Sequence, residues 1–153
     1  MATLKVKIQE DIILGNQDYG SKRVFEISSV QDIYKRIITI PTGTDATVAR
    51  FDAAVSTSVV ATLDVDLVKY VRVTNLDSSN SVNLAVVGDT ENFQVVLEAG
   101  KSFMIGKVDD AIVAEGATDT SPGFTGFEEV SHMIVDPGSN VGTIEVFAAS
   151  TSS

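Results

Sequence analysis

Residue types that support catalysis are sparse in this chain of 153 residues. The chain has no cysteine and a single histidine, His132, which excludes thiolate chemistry and histidine-based zinc clusters. His132 lies in a short segment whose neighbours alternate as in a strand. A catalytic histidine needs a nucleophile and an orienting carboxylate beside it. The sequence supplies no pattern for either, so we expect His132 to be a hydrogen-bonded structural residue.

Two pairs of carboxylates are the other candidates for chemistry. Asp64 and Asp66 alternate in a predicted strand, which would place both side chains on one face, and Asp109 directly precedes Asp110. Adjacent carboxylates bind Ca²⁺ together with backbone carbonyls, and glycosidases also use a carboxylate pair. No Asp-x-Asp-x-Asp-Gly loop is present. We therefore predict no catalytic residue, no cofactor and no metal, and a structural Ca²⁺ near Asp64 and Asp66 stays open as an alternative.

Nucleotides, nucleic acids and membranes are poor candidates for partners. The run Gly100-Lys101-Ser102 ends like a phosphate-binding loop, but it lacks the earlier glycine and opens a strand, so it predicts a hairpin turn. A formal net charge of −10 and a pI near 4.3 repel a polyanion at long range. No apolar run approaches the ~20 residues that span a bilayer. We expect neither nucleic acid nor membrane as a partner.

The elements that position these residues are predicted to be strands. Alternation of apolar and polar residues predicts strands at 3–8, 23–27, 34–40, 47–55, 69–75, 82–87, 93–97, 102–105, 130–135 and 143–148. A helical turn is expected before residue 34, and the four strands from 69 to 105 are expected to form a meander. The pattern predicts an all-β protein: a single antiparallel β-sandwich or jelly-roll-like domain of about nine or ten short strands, spanning residues 1–148.

Interface residues are expected in two places outside these strands. Phe124 and Phe127 are aromatic residues in or beside a glycine-rich loop at 116–126, and aromatics in a polar loop often dock on a neighbouring protein. Residues 149–153 form a small polar tail that we expect to be flexible or held by a partner. We therefore predict an interface that includes Phe124, Phe127, Ser150 and Thr151.

The middle of the chain resembles a family of viral proteins. A strand is followed by Thr74-Asn75-Leu76-Asp77, then by Asn80 and a second strand, then by Leu97, Ala99-Gly100-Lys101 and a third strand. This pattern resembles small virion structural proteins of tailed bacteriophages. The upstream segments 36–41 and 63–70 are similar to the same proteins, and the resemblance covers roughly residues 36–105.

The resemblance implies a non-enzymatic β-sandwich that assembles in many copies on a phage particle after synthesis in the bacterial cytoplasm. Its partners would be the major capsid protein or other virion proteins, together with copies of itself. A capsid decoration or cement protein is the preferred interpretation. The alternatives are a tail, fibre or receptor-binding component, or a carbohydrate-binding β-sandwich. An enzyme such as a cupin-like barrel is least supported, because such sites use several histidines.

Overall fold

The computed structural model describes residues 2–53, 62–115 and 121–152, which form twelve strands and no helix. The strands are β1 (Ala2–Glu10), β2 (Ile13–Leu14), β3 (Gln17–Asp18), β4 (Ser21–Ile40), β5 (Ala46–Asp52), β6 (Thr62–Asp64), β7 (Val68–Asn75), β8 (Val82–Val87), β9 (Asn92–Leu97), β10 (Ser102–Ile105), β11 (His132–Asp136) and β12 (Gly142–Thr151). Within these ranges no helix is long and apolar enough to cross a membrane. The all-β prediction is confirmed. Residues 54–55 of the predicted strand at 47–55 lie outside the described ranges.

Two five-stranded sheets face each other. Their strand orders are β1-β4-β12-β7-β10 and β6-β5-β11-β8-β9, and β2 with β3 forms a separate hairpin. All pairs are antiparallel except β5 with β6. The pairs β8–β9, β7–β10, β5–β11 and β4–β12 are nested, so each later strand returns to an earlier partner in reverse order. This is the strand order of a jelly roll.

The predicted meander at 69–105 is wrong. Strands β7 and β10 belong to one sheet, whereas β8 and β9 form a hairpin in the other. The turn at Gly100 is present, with Gly100 at a φ of 74° and the Lys101 amide donating to the Glu98 carbonyl at 3.0 Å. It connects two sheets and is not a hairpin turn. Alternation within a strand is the same whichever sheet the strand joins, so the spacing did not specify the pairing.

The core lies between the two sheets and consists mainly of valine. Alternate residues of the strands around it point inward, as Val71 and Val73 do on β7 and Leu84 and Val86 do on β8. Burying each such side chain contributes about 1.5–3 kcal/mol. The fold is therefore stabilised by many similar contacts between two rigid faces.

Strand β4 is unusually long, at 20 residues, and its two halves have different partners. Its second half pairs with β12, from Ile40 opposite Gly142 to Val30 opposite Thr151. Its first half pairs with β1, as far as Ser21 opposite Glu10. We call residues 2–30 the arm: a two-stranded ribbon that carries the β2–β3 hairpin at its tip.

The predicted helical turn before residue 34 is wrong, because β4 continues through it. Ser29 has a φ of 60°, and the registers on both sides of β4 shift next to it. Such an irregularity bends a strand. The residues at helical spacing form no buried stripe: Val30 is buried while Ile33 and Ile37 are exposed.

A second, smaller core lies on the outer face of the first sheet, beneath the root of the arm. Tyr70 and Ala149 are buried there with Val30, although their neighbours Val71 and Ala148 point into the main core. The rings of Phe25 and Phe147 each meet the Tyr70 ring edge-on, with centroids 6.1 Å apart. The arm therefore covers part of a sheet face that a simple sandwich leaves in water.

The predicted tail boundary is wrong. Residues Ala149, Ser150 and Thr151 belong to β12, paired with β4 on one side and, through Ser150, with β7 on the other. Their small side chains suit the place where the arm crosses the sheet, since Ala149 is fully buried against Tyr70 and Val30. A composition of alanine, serine and threonine here reflects close packing. Ser153 lies outside the described residues.

Candidate interaction surfaces

The tip of the arm is the most apolar exposed part of the described chain. Ile13 and Leu14 are 75% and 68% exposed, and Ile12 and Tyr19 on the same hairpin are more than half exposed. Gly15 and Asn16 both have positive φ, as a type I′ hairpin turn requires. The amide of Tyr19 donates to the Ile12 carbonyl at 3.0 Å and closes the base of the hairpin. This ordered turn holds large apolar side chains in water, which is typical of a contact site.

The predicted aromatic residues Phe124 and Phe127 are both exposed, Phe124 at 73%. Phe124 has a φ of 54° and Gly126 a φ of 76°. A bulky residue at positive φ is strained, and such strain is concentrated at functional positions. Residues 116–120 of the predicted loop lie outside the described ranges. The structure leaves Phe124 and Phe127 free for contact, and the interface itself stays a prediction.

Glu128, directly after Phe127, is held by several hydrogen bonds. Its backbone pairs with Ile112, and its carboxylate accepts hydrogen bonds from the Glu91 amide at 2.7 Å and the Thr90 hydroxyl at 3.0 Å. Burial works to raise the pKa of Glu128, but these hydrogen bonds lower it below its usual range overall. The carboxylate thus closes the turn between β8 and β9. Phe127, the residue directly before Glu128, is exposed.

Ser150 and Thr151 both lie within strand β12. Ser150 is buried within β12. The amide of Thr151 donates to the Leu67 carbonyl at 2.9 Å, so it closes the edge of the sandwich internally. Their backbone groups are paired within the chain, and their predicted role in an interface stays a prediction.

The candidate carboxylate pair is separated by a turn. Strand β6 ends at Asp64, whose carboxylate accepts the Asp66 amide at 3.0 Å, and the Leu67 amide donates to the Asp64 carbonyl. The prediction that Asp64 and Asp66 share one strand face is wrong, because the chain turns at Val65. In residues 2–53, 62–115 and 121–152 no group of three or more acidic or histidine side chains is arranged to hold a metal ion.

A cleft of about 430 Å³ beside His132 is lined by both acidic residues and Arg50. Glu129 and Asp89 line this cleft. Burial, and after it the charges of Asp89 and Asp109, raises the pKa of Glu129. Several carboxylates therefore lie close together at this end of the sandwich.

His132 contacts its neighbour Ser131 at the mouth of the same cleft. Its Nδ1 lies 2.7 Å from the Ser131 hydroxyl, which is also within reach of the Val87 and Gly88 carbonyls. Across the described ranges no carboxylate hydrogen-bonds the imidazole. The Ser131 hydroxyl therefore links the residue before β11 to the end of β8. The hydrogen bond that the sequence predicted for His132 is present, and its structural role stays a prediction.

The residues that carry the resemblance to phage proteins form a buried connection between turns. The Asn75 side-chain amide donates to the carbonyls of Asn80 at 2.8 Å and Leu97 at 3.0 Å, and its oxygen accepts the Asp77 amide. Asp77 accepts the amides of Asn80 and Ser79, and these hydrogen bonds lower its pKa. The Gly100 amide donates to the Asn75 carbonyl. The pattern is therefore structural, and its residues hold two loops together.

Comparisons with known proteins add little to these surfaces. No protein-family model matches the chain, and no curated protein matches it. Among solved structures, a chain from work titled "Bacillus endospore appendages form a novel family of disulfide-linked pili" overlaps it with a TM-score of 0.40 and 10% identity. The overlap covers 82% of this chain and 96% of that one. This likeness is too weak to establish a common fold, and the present chain has no cysteine with which to form a disulfide.

The sequence contains a hairpin signal at the arm tip that the predicted strands do not cover. Ile12, Ile13 and Leu14 are three consecutive large apolar residues directly before Gly15-Asn16. A two-residue turn after an apolar run predicts a hairpin, and apolar residues beside a turn are exposed unless something covers them. The predicted strands at 3–8 and 23–27 do not include this segment, so the hairpin and its apolar tip were not predicted.

Proposed function

We propose that the chain is a structural protein of a tailed-phage virion, specifically a capsid decoration or cement protein. The observation that carries the proposal is the arm, an ordered ribbon whose tip exposes Ile13 and Leu14. Exposure of these apolar side chains to water is unfavourable. Their burial against a neighbouring protein would therefore favour binding. The resemblance of residues 36–105 to phage virion proteins supports the choice of particle.

The distribution of charge is consistent with this role. The arm contains as many basic as acidic residues, so the formal net charge of −10 belongs to the rest of the chain. A neutral, apolar arm contacts a protein surface without long-range repulsion, while an acidic body limits association with packaged DNA and between copies. Under this proposal the arm docks on the capsid and the acidic body remains outside it.

The experiment that tests this proposal is cryo-electron microscopy of the parent particle. We expect density for the sandwich on the outer capsid surface, with the arm in contact with the shell. Density at the tail would instead support the alternative of a tail or fibre component. A particle without the chain would contradict a virion role altogether.

A carbohydrate-binding role is the second candidate, and a separate surface favours it. The outer face of the second sheet has a shallow depression of about 330 Å³ lined by Asn83, Asn92 and Gln94 on adjacent strands. These side chains make no hydrogen bond to any described residue. Uncommitted amides bind sugar hydroxyls well, although no aromatic residue lines the depression. A glycan array without binding would remove this candidate.

A further inference from the structure

Strand β1 has a long free edge. It is the outermost strand of its sheet, and among the described strands it pairs with β4 and no other. Its nine residues therefore present one row of backbone donors and acceptors away from β4. An edge of this length is a template on which another strand can add.

A groove runs along this free edge. It has a volume of about 360 Å³ and is lined by five consecutive residues of β1, from Leu4 to Ile8. Consecutive residues point to opposite faces of a strand. The groove therefore follows the backbone edge of β1 and does not lie under one of its faces.

The floor of the groove is mostly apolar. It is formed by Tyr70, Phe147 and Met104, which project from three strands of the sheet beneath. The Tyr70 hydroxyl lies 3.4 Å from the Met104 sulfur, and Met104 is 43% exposed. Methionine adapts its shape to different apolar partners. An added strand would place every second side chain on this floor.

The remaining wall of the groove is basic, in a chain that is strongly acidic. Lys5 and Lys7 line it, and Arg72 projects from the floor, where it lies opposite Phe147 and Met104 on the neighbouring strands. Lys5 pairs with Glu26 at 2.7 Å and Arg72 with Glu145, whereas Lys7 has no ion pair among the described residues. On β1 these lysines alternate with Leu4 and Val6, which pack towards the floor. A complementary strand would alternate apolar and acidic residues.

A second copy of β1 does not meet this requirement. Antiparallel pairing of two copies about Val6 would place Lys5 of one directly opposite Lys7 of the other. Like charges directly opposite each other destabilise a strand pair. Lysines on an edge are also a common device against self-pairing. The lysines therefore disfavour this pairing of two copies and favour an acidic strand in their place.

We propose that the groove beside β1 binds an extended, acidic segment of a partner protein, which adds to the sheet as a strand. Its backbone pairs with β1, its apolar side chains cover Tyr70, Met104 and Phe147, and its carboxylates lie beside Lys5 and Lys7. The inference rests on the proposed function for the source of the segment, another virion protein, but the binding chemistry does not depend on that source.

The test uses a synthetic peptide of alternating valine and glutamate, and a second peptide with lysine in place of glutamate. With the full chain, we expect the acidic peptide to bind and to slow amide hydrogen exchange in residues 2–10. Lys7→Glu should weaken this binding about fivefold or more, as expected for reversing one cross-strand charge pair. Lys22→Glu, on the arm strand away from the groove, should leave it within about twofold.

Met104→Asp should also weaken binding, because it places a charge on the apolar floor, while Val96→Asp on the other sheet should not. Equal binding of both peptides, protection outside β1, or protection of β1 by self-association without peptide would each overturn the proposal. If the chain binds the peptide but is absent from virions, the proposed function is wrong and the groove proposal stands. If the chain binds capsids but not the peptide, the groove proposal is wrong and the proposed function stands.

Discussion

The side-chain amide of Asn75 donates a hydrogen bond to the carbonyl of Leu97 at 3.0 Å, joining the end of β7 in one sheet to the end of β9 in the other. Asn75 is fully buried and also bonds Asn80 and Asp77. The two sheets are therefore connected by one polar side chain at the point where the chain crosses between them.

Replacing Asn75 should be among the most damaging single changes outside the core. Asn75→Ala leaves buried carbonyls without their donor, and we expect a loss of about 2–4 kcal/mol in the free energy of unfolding. Urea denaturation measures it. Asn83→Ala, an exposed amide on β8, is the matched control and should change stability by less than about 0.5 kcal/mol. Similar losses in the free energy of unfolding for both variants would show that the buried hydrogen bonds of Asn75 contribute no more to stability than an exposed amide does.

Gly88 and Glu128 should be coupled. A Cβ on Gly88 would lie only 2.1 Å from the Glu128 carboxylate oxygen, so Gly88→Ala must displace the group that closes the β8–β9 turn. We expect a loss of about 1–2 kcal/mol from the lost hydrogen bonds. Gly106→Ala, where a Cβ would meet nothing within 4 Å, is the control. In a Glu128→Ala background the cost of Gly88→Ala should fall, and an unchanged cost would contradict the coupling.

Acid should weaken the fold partly through Glu145. Burial works to raise its pKa, but the hydrogen bond and charge of Arg72, with Lys35 at 3.5 Å, lower it overall. A lowered folded pKa means that Glu145 stabilises the fold above its unfolded pKa, and that this stabilisation is lost as pH falls through the folded value. Glu145→Gln should therefore flatten the acid limb of stability against pH. Exposed Glu98→Gln serves as the control, and parallel profiles for wild type and Glu145→Gln would refute the prediction.

The bend of the arm should depend on the backbone at Ser29. Its φ of 60° is disfavoured for β-branched residues, so Ser29→Val should cost about 1–2 kcal/mol. Ser29→Gly accepts this φ and should be close to neutral. Ser28→Val, at the neighbouring exposed position, is the control. Thermal unfolding would report the difference, and equal effects of valine at both positions would argue against a conformational requirement at Ser29.

Sequence periodicity predicted most strands because a buried face leaves a period of two in any sheet. It located β8 and β10 to the residue, and the β-sandwich prediction is confirmed. It did not predict which strands pair: the register of β7 with β10 depends on contacts that are distant in sequence. The long β4 was divided because Ser29 interrupts the alternation.

The candidate surfaces were less predictable than the fold. Phe124 and Phe127 stood out because aromatic residues are unusual in a polar loop, and both are exposed. Ser150 and Thr151 were assigned to a tail because their composition is that of a linker, whereas the arm packed over Ala149 makes small residues necessary there. A covering element that comes from the other end of the chain leaves no local signal.

The arm tip is the part of the molecule on which the proposed function depends, and capsid binding tests it most directly. Purified chain is mixed with capsids of the source phage that lack it, and bound protein is measured after sedimentation. We expect wild type and the exposed control Val96→Ser to sediment with capsids, and Ile13→Ser with Leu14→Ser to remain in solution while folding normally. Wild type that stays in solution, or an arm variant that binds as well as wild type, would contradict the account.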